Sequence, residues 1–208
     1  MTFALPDPEG LAPEVYPLAW LLGRWSGGGF VDYPGIDEAA FTQEVEFASD
    51  GGPYLSYTST IRLVVAPDDA AGIESPDGEG DAPVWSTESG YWRVPPERPA
   101  GVTEGKHPVE VLLSDPAGFV TVLVGEIGNG RVDLASDLVA RVPGGANVSA
   151  SKRLFGLVQG QLMWAHDIAA FGHPMQSYAS AKLSRVGAEP AAQQSDAPSD
   201  ESSDEPQD

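Results

Sequence analysis

Apolar and polar residues alternate along most of this chain in short runs that end at glycine, proline, asparagine or aspartate. Alternation with a period of two is typical of β-strands that have one buried and one exposed face. Ten such runs follow one another: Trp25–Tyr33, Ala39–Phe47, Tyr54–Val65, Val84–Val94, Val109–Ser114, Phe119–Ile127, Arg131–Ala140, Val148–Val158, Leu162–Ala170 and Tyr178–Val186. The pattern therefore predicts an all-β protein of about ten strands.

Several connections between these runs carry the residues of tight hairpin turns. Residues 115–118 read Asp-Pro-Ala-Gly, residues 128–130 read Gly-Asn-Gly, and Gln159 precedes Gly160. Asn-Gly favours the turns that join antiparallel neighbours. A flat sheet of hairpins would leave two exposed edges, and closure into an up-and-down barrel removes them. We expect a single closed barrel that is wide enough to hold a ligand cavity.

One stretch near the N-terminus has a different period. Between Leu11 and Leu22 the apolar residues recur at helical spacing, interrupted by Pro13 and Pro17. We expect a short helix that ends before Gly23 and plugs an opening. Two polar connections, about 67–82 and 95–108, are expected to be long loops.

Charge and composition separate the ends of the chain from its centre. The 208 residues carry 31 acidic and 11 basic side chains, a net charge of −20, which excludes nucleic acid and anionic membranes as probable partners. Residues 187–208 hold seven acidic residues, no Lys or Arg, and no aromatic or large aliphatic residue. We therefore expect an N-terminal extension at 1–10, a barrel at 11–186 and a disordered acidic tail at 187–208.

The chain contains no cysteine, which excludes disulfides and thiolate ligands for a metal or haem. The N-terminal residues have no basic segment, and no later run approaches the ~20 apolar residues of a membrane span. We expect a soluble cytoplasmic protein. Spacings typical of a designed metal site, a nucleophile elbow or a phosphate loop are also absent, so we assign no catalytic residue and no metal.

The first predicted strand carries a GxWxGxG motif, formed by Gly23, Trp25, Gly27 and Gly29. Alternating glycines allow a neighbouring element to approach closely, and a large tryptophan can fill the closed end of a barrel. We interpret the motif as structural. Because the last strand of a closed barrel pairs with the first, we expect Arg185 to stack on Trp25, with Arg153 as the rival cation.

With Tyr33, Pro34, Gly35 and Ile36 following it, this motif resembles the first strand of the nitrobindin family, GxWxGxGxxxYPTI, except that Gly35 replaces a threonine. Further segments between about 11 and 186 resemble other family motifs. Residues 47–57 resemble FxHxGxPxLxY, 86–94 resemble HSETGYxRV, 114–118 resemble AHPTG, 152–157 resemble KRLYGL, and 172–181 resemble GQPLQPHLSA. The resemblance implies a calycin-type barrel, similar to fatty-acid-binding proteins, that binds ferric haem b and isomerises peroxynitrite to nitrate.

The departures from the family pattern fall where this chemistry would lie. Ser49, Ser86 and Asp115 stand at positions where family members commonly carry histidine. The histidine that the resemblance assigns as the proximal haem ligand aligns with Tyr178. The chain therefore lacks the haem-binding histidine of the family.

Tyr178 is a chemically admissible substitute, because tyrosinate ligates ferric haem in some proteins. A phenol with a pKa near ~10 needs a close cation to ionise at neutral pH, and Lys182, two steps along the strand, is not close enough. Tyr178 shares its strand face with Ser180, Lys182 and Ser184, so a regular strand points it outward. A bulge near Pro174 would reset that phase.

Two histidines are the other possible substitute ligands. His166 shares the parity of apolar neighbours and is expected to face inward, where a satisfied barrel histidine is the simpler interpretation. His173 lies in a turn near the expected barrel mouth and is the better substitute of the two. His107, in the second polar loop, has no argument in its favour.

Three hypotheses for function follow. We favour a nitrobindin-like barrel that binds a small apolar or planar ligand and has no haem held in the family's manner. The second is a haem b protein that acts as a peroxynitrite isomerase through Tyr178 or His173. The third, from fold analogy alone, is a lipid or fatty-acid carrier.

Overall fold

The computed structural model describes residues 10–64 and 82–187. The 3₁₀ helix η1 spans Pro13–Leu21, and it is followed by ten strands: β1 Gly23–Tyr33, β2 Ile36–Ala48, β3 Leu55–Leu63, β4 Val84–Arg93, β5 His107–Asp115, β6 Phe119–Gly128, β7 Arg131–Arg141, β8 Val148–Val158, β9 Gln161–Ala170 and β10 Gln176–Arg185. Most of the connection expected at 67–82 and nearly all of the expected acidic tail lie outside the described residues.

The strands form one closed antiparallel barrel in which each pairs with its neighbours in sequence. β1 closes on β10, with Trp25 opposite Arg185. The prediction of an all-β, up-and-down barrel of about ten strands with a short N-terminal helix is confirmed. None of the helices in the described ranges is long and apolar enough to cross a lipid bilayer.

Some strands are longer than the apolar alternation predicts. β2 begins at Ile36, where it pairs with Tyr33, and β5 begins at His107, where it pairs with Ile127. The additional residues belong to strands because their backbone groups pair across the hairpin, which requires no apolar side chain. The alternation therefore gives the strand centres better than their ends.

The helix covers the barrel end at which β1 begins, and Val15, Leu18 and Leu21 are completely buried there. Trp25 is also fully buried, and its indole Nε1 donates a hydrogen bond to the carbonyl of Leu21 at 2.7 Å. The apolar residues at helical spacing thus fill one end of the barrel.

Arg185 fastens this end from β10. Its guanidinium carbon lies 4.2 Å from the centroid of the Trp25 ring, and it donates hydrogen bonds to the carbonyls of Trp20 and Leu22. The expectation that Arg185 stacks on Trp25 is confirmed, and the rival, Arg153, lies inside the barrel instead.

The glycines of β1 lie against the backbone of β10. A Cβ atom added to Gly27 would lie 2.2 Å from the carbonyl oxygen of Lys182, and one added to Gly29 would lie 2.0 Å from that of Ser180. These distances are too short for any side chain, so the glycines permit the close approach of the closing strand.

Candidate functional site

The barrel encloses a cavity of about 280 Å³. It extends to the barrel end opposite the helix, where the β1–β2, β5–β6, β7–β8 and β9–β10 turns meet, since Ile36, Ala117, Ala146 and Phe171 are among its lining residues. We call this end the mouth. The cavity is small compared with the ~300–1,000 Å³ of typical drug-sized ligand sites.

Two residues at the mouth face inward because their strands are irregular. The pairing of β10 with β9 passes from Ser177 to Ala179, so Tyr178 is an extra residue in the ladder. The pairing of β4 with β3 likewise omits Trp85. Such irregularities re-aim a side chain, and both residues line the cavity. Of the two orientations left open for Tyr178, outward in a regular strand or inward after a reset of the strand phase, the irregular pairing gives the inward one.

These two side chains meet across the mouth. The indole Nε1 of Trp85 donates a hydrogen bond to the hydroxyl of Tyr178 at 2.9 Å. β4 and β10 are separated by three strands on one side and five on the other, so the bond spans the opening. The Tyr178 ring also packs edge-on against His166, with ring centroids 5.5 Å apart.

A second bridge crosses the cavity. Arg153 of β8 donates two hydrogen bonds to the carboxylate of Glu88 on β4, one of them at 2.7 Å. Only 9% of the Arg153 side chain and 14% of the Glu88 side chain are exposed. Burial acts to lower the pKa of Arg153, but attraction to Glu88 outweighs it, so the pKa lies above its usual value and the guanidinium stays charged.

One atom of this pair is left without a partner. The buried Nε of Arg153 makes no hydrogen bond to any described residue. A buried unsatisfied donor costs about 1–3 kcal/mol. The unsatisfied Nε–H of Arg153 therefore offsets part of the stabilisation that the bidentate contact with Glu88 provides.

His166 faces the cavity from β9, as its parity suggested. Its Nε2 lies 2.8 Å from the hydroxyl oxygen of Ser151. Burial, and then the positive charge of Arg153, lower the pKa of His166 well below its usual value. The ring is therefore neutral at physiological pH.

His173 lies in the exposed turn after β9 and does not line the cavity. Its ring packs edge-on against Tyr33, with ring centroids 6.0 Å apart. His173 therefore lies near the mouth without lining the cavity, and its ring, like that of Tyr178, packs against Tyr33.

Two of the three positions at which the family commonly carries histidine lie together, since the side chains of Ser86 and Asp115 are within hydrogen-bonding reach, and the third lies apart from them. Ser86 and Asp115 line the cavity. Ser49 lies in the β2–β3 turn, where its hydroxyl accepts a hydrogen bond from the backbone of Gly51 at 3.2 Å. Burial raises the pKa of Asp115, although its carboxylate accepts a bond from the Ala117 amide at 2.7 Å.

Neither Glu88 nor Trp85 is among the site residues expected from the sequence, and Arg153 is expected only as a rival partner for Trp25. A signal for the ion pair was present. Glu88 shares the strand parity of the buried Trp92, and Arg153 shares that of the buried Phe155. A charged side chain in the inward phase of a strand indicates either a buried pair or a site.

Deeper in the cavity, polar groups are paired with one another. Gln43 donates to the hydroxyl of Ser59 at 2.9 Å and accepts from the indole of Trp164 at 2.7 Å. Among residues 10–64 and 82–187, no group of three His, Cys, Asp or Glu side chains is arranged to hold a metal ion. The site is thus a small cavity with a polar wall, an internal ion pair and an aromatic mouth.

A closed antiparallel barrel with an internal cavity defines a class of small-ligand-binding proteins. Comparison with known proteins gives the family. The profile described as "THAP4-like, heme-binding beta-barrel domain" matches residues 14–185. The chain belongs to this family, the nitrobindins.

Individual relatives agree with this assignment. A "Ferric nitrobindin-like protein" from Beutenbergia cavernae is 49% identical over 89% of this chain and all of its own length. A "Peroxynitrite isomerase" from Clavibacter sepedonicus is 38% identical over 86% of this chain and 98% of its own. The crystal structure of Rv2717c from M. tuberculosis matches with a TM-score of 0.66 and 28% identity, covering 84% of this chain and 98% of that one.

Proposed function

We propose that this chain is a small-ligand-binding nitrobindin that does not hold haem in the manner of its family. The barrel, residues 11–186, is the functional unit of the proposal. The main support for this proposal is the environment of Tyr178, the residue that the resemblance places at the position of the proximal haem ligand. Its hydroxyl accepts a hydrogen bond from Trp85 and lies in the mouth of the cavity.

A tyrosine ligates ferric iron as the phenolate. Burial raises the pKa of Tyr178, and the charges of Asp115 and Glu88 raise it further. The bond from Trp85 and the charge of Arg153 oppose this, but the pKa still lies above its usual value. Arg153, the cation inside the cavity, is already bonded to Glu88. The side chains around Tyr178 therefore favour the neutral phenol, which is a poor ligand for ferric iron.

The interior also suits a ligand smaller than a porphyrin. A haem with its propionates is at least as large as a drug-sized ligand, whereas the cavity measures about 280 Å³ and is crossed by the Glu88–Arg153 pair. The residues present do not fit haem b, and we derive no catalytic step from it. Ligand binding without a resident cofactor is the function these contacts support.

A second candidate is peroxynitrite isomerisation with haem held through Tyr178 or His173, with His166 as a further possible ligand. The name of the Clavibacter relative favours it, as does the haem-binding description of the family. His166 lines the cavity, but its Nε2 is engaged with Ser151. A fatty-acid carrier has less support, because the guanidinium of Arg153, which would bind a fatty-acid carboxylate, is already hydrogen-bonded to Glu88.

The test is an optical titration of the cofactor-free protein with ferric haem. We expect no saturable Soret shift for the wild type and the same result for Tyr178→Phe. Tyr178→His restores the family's ligand and separates two causes of this loss: a gain of haem binding would assign it to the missing histidine, and no gain would assign it to the small cavity. A one-to-one Soret shift in the wild type that disappears in Tyr178→Phe would overturn the proposal and support the haem enzyme.

A further inference from the structure

The charges inside the cavity do not cancel. Its lining includes two carboxylates, Glu88 and Asp115, and one guanidinium, Arg153. The remaining basic side chain of the lining, His166, is neutral because its pKa lies well below the usual value. By formal charge, two carboxylates and one guanidinium give the described lining one net negative charge.

The excess negative charge lies at Asp115. Glu88 and Arg153 neutralise each other through their bidentate contact. Within the part of the chain that the structure describes, Asp115 makes no ion pair. Its carboxylate accepts the Ala117 amide and lies within hydrogen-bonding reach of the Ser86 hydroxyl. The fields of Glu88 and Arg153 both reach it, so the three groups form one electrostatic unit. A ligand in the cavity therefore encounters the Asp115 carboxylate, which has no cation bonded to it among the described residues.

Aromatic rings stand beside Asp115 at the same mouth. Trp85, Phe119, Phe171 and Tyr178 all line the cavity. The face of an aromatic ring attracts a cation and accommodates an apolar body equally well. Carboxylate and rings together form the kind of environment that recognises organic ammonium ions.

Anionic ligands meet the opposite conditions. The one cation of the cavity wall is bonded to Glu88, and an incoming carboxylate would have to displace that residue while approaching Asp115. Burying a charge without a partner is costly. Glu88 therefore acts as an internal counter-ion that closes Arg153 to anions.

We propose that the cavity binds a small organic cation with an apolar or aromatic body, and that Asp115 and Glu88 set this charge preference. The inference rests on the proposed function and specifies its ligand class. Asp115 contacts the ammonium group, the rings at the mouth enclose the apolar body, and Glu88 prevents Arg153 from attracting an anion.

The experiment compares three probes of one shape by isothermal titration calorimetry at pH 8 and low salt: 1-naphthylmethylammonium, 1-naphthalenemethanol and 1-naphthoate. For the wild type we expect the ammonium probe to bind at least about tenfold more tightly than the neutral alcohol, and the carboxylate to bind most weakly. Asp115→Asn should remove the advantage of the cation over the alcohol. Glu38→Gln, at an exposed site outside the cavity, removes the same charge and should change nothing.

The combined variant Glu88→Gln with Asp115→Asn leaves Arg153 as the charge of the lining, so the carboxylate should become the preferred probe. Circular dichroism establishes whether each variant is folded. If the combined variant is unfolded, Asp115→Asn still tests the charge preference, because it leaves the Glu88–Arg153 pair intact. Equal binding of cation and alcohol by the wild type, or an unchanged ratio in Asp115→Asn, would overturn the charge preference but leave the small-ligand barrel standing. Failure of all three probes to bind folded wild type would overturn both.

Discussion

The buried pair between Glu88 and Arg153 makes a quantitative prediction about stability. Both side chains are more than four-fifths buried and joined by two hydrogen bonds. Replacing one partner, as in Glu88→Ala, leaves the guanidinium buried without its counter-ion. Breaking a buried pair in this way costs about 3–5 kcal/mol, a large part of the ~5–15 kcal/mol that stabilises a typical domain.

Urea denaturation followed by tryptophan fluorescence measures this loss. For a domain of this size, a decrease of about 3–5 kcal/mol corresponds to a melting temperature roughly 6–20 °C lower. The matched control is Arg131→Gln, which breaks the exposed pair with Asp133 and should have little effect because exposed pairs contribute little.

A double replacement separates the pair's net contribution from the penalty of breaking it. Glu88→Leu with Arg153→Met removes both charges, and we expect it to recover most of the stability that the single change loses, since apolar residues often replace a buried pair at little net cost. If Glu88→Ala were no more destabilising than Arg131→Gln, Glu88 and Arg153 would not form a desolvated pair across the cavity.

Three further predictions concern the rest of the barrel. Trp25→Ala should lower the free energy of unfolding by about 3–5 kcal/mol and unfold the protein rather than remove one activity. Phe30→Ala changes an exposed aromatic residue on the same strand and should be tolerated. Chemical denaturation compares the two variants, and a folded, stable Trp25→Ala would contradict the structural role of Trp25. Gly27→Ala should destabilise by at least about 1–3 kcal/mol because its Cβ meets the β10 backbone, while Gly144→Ala, with open space around it, should melt like the wild type. The unfolded chain protonates His166 below about pH 6.5 and the folded chain does not. The free energy of unfolding should therefore fall as the pH drops from 6.5 toward 5, by up to ~1.4 kcal/mol per pH unit. In denaturation curves His166→Gln should flatten this pH dependence, and an unchanged slope would show that folding does not lower the pKa of His166.

The fold could be predicted from the sequence because its signals are local. Alternation of apolar and polar residues marks each strand, and Asn129-Gly130 and Gln159-Gly160 mark the hairpins that connect neighbouring strands. Once all connections are hairpins, closure is the way to remove both edges. The Arg185–Trp25 contact could also be predicted, because it follows from the pairing of the last strand with the first.

The site could be predicted only in part, because its contacts join residues far apart in sequence. Tyr178 faces the cavity through an irregularity whose position depends on the pairing of β10 with β9, which a single strand's parity does not reveal. Glu88 and Arg153 are 65 residues apart. Each shows an inward-facing charge in the sequence, and only the folded barrel brings the two together.

Native mass spectrometry of the protein produced in cells supplied with a haem precursor tests the central claim most directly. We predict that the folded wild type has the mass of the chain without haem. Tyr178→His, prepared identically, distinguishes the missing ligand, which would give haem-bound protein, from the small cavity, which would not. A wild-type protein isolated with one haem per chain, and without haem in Tyr178→Phe, would contradict it.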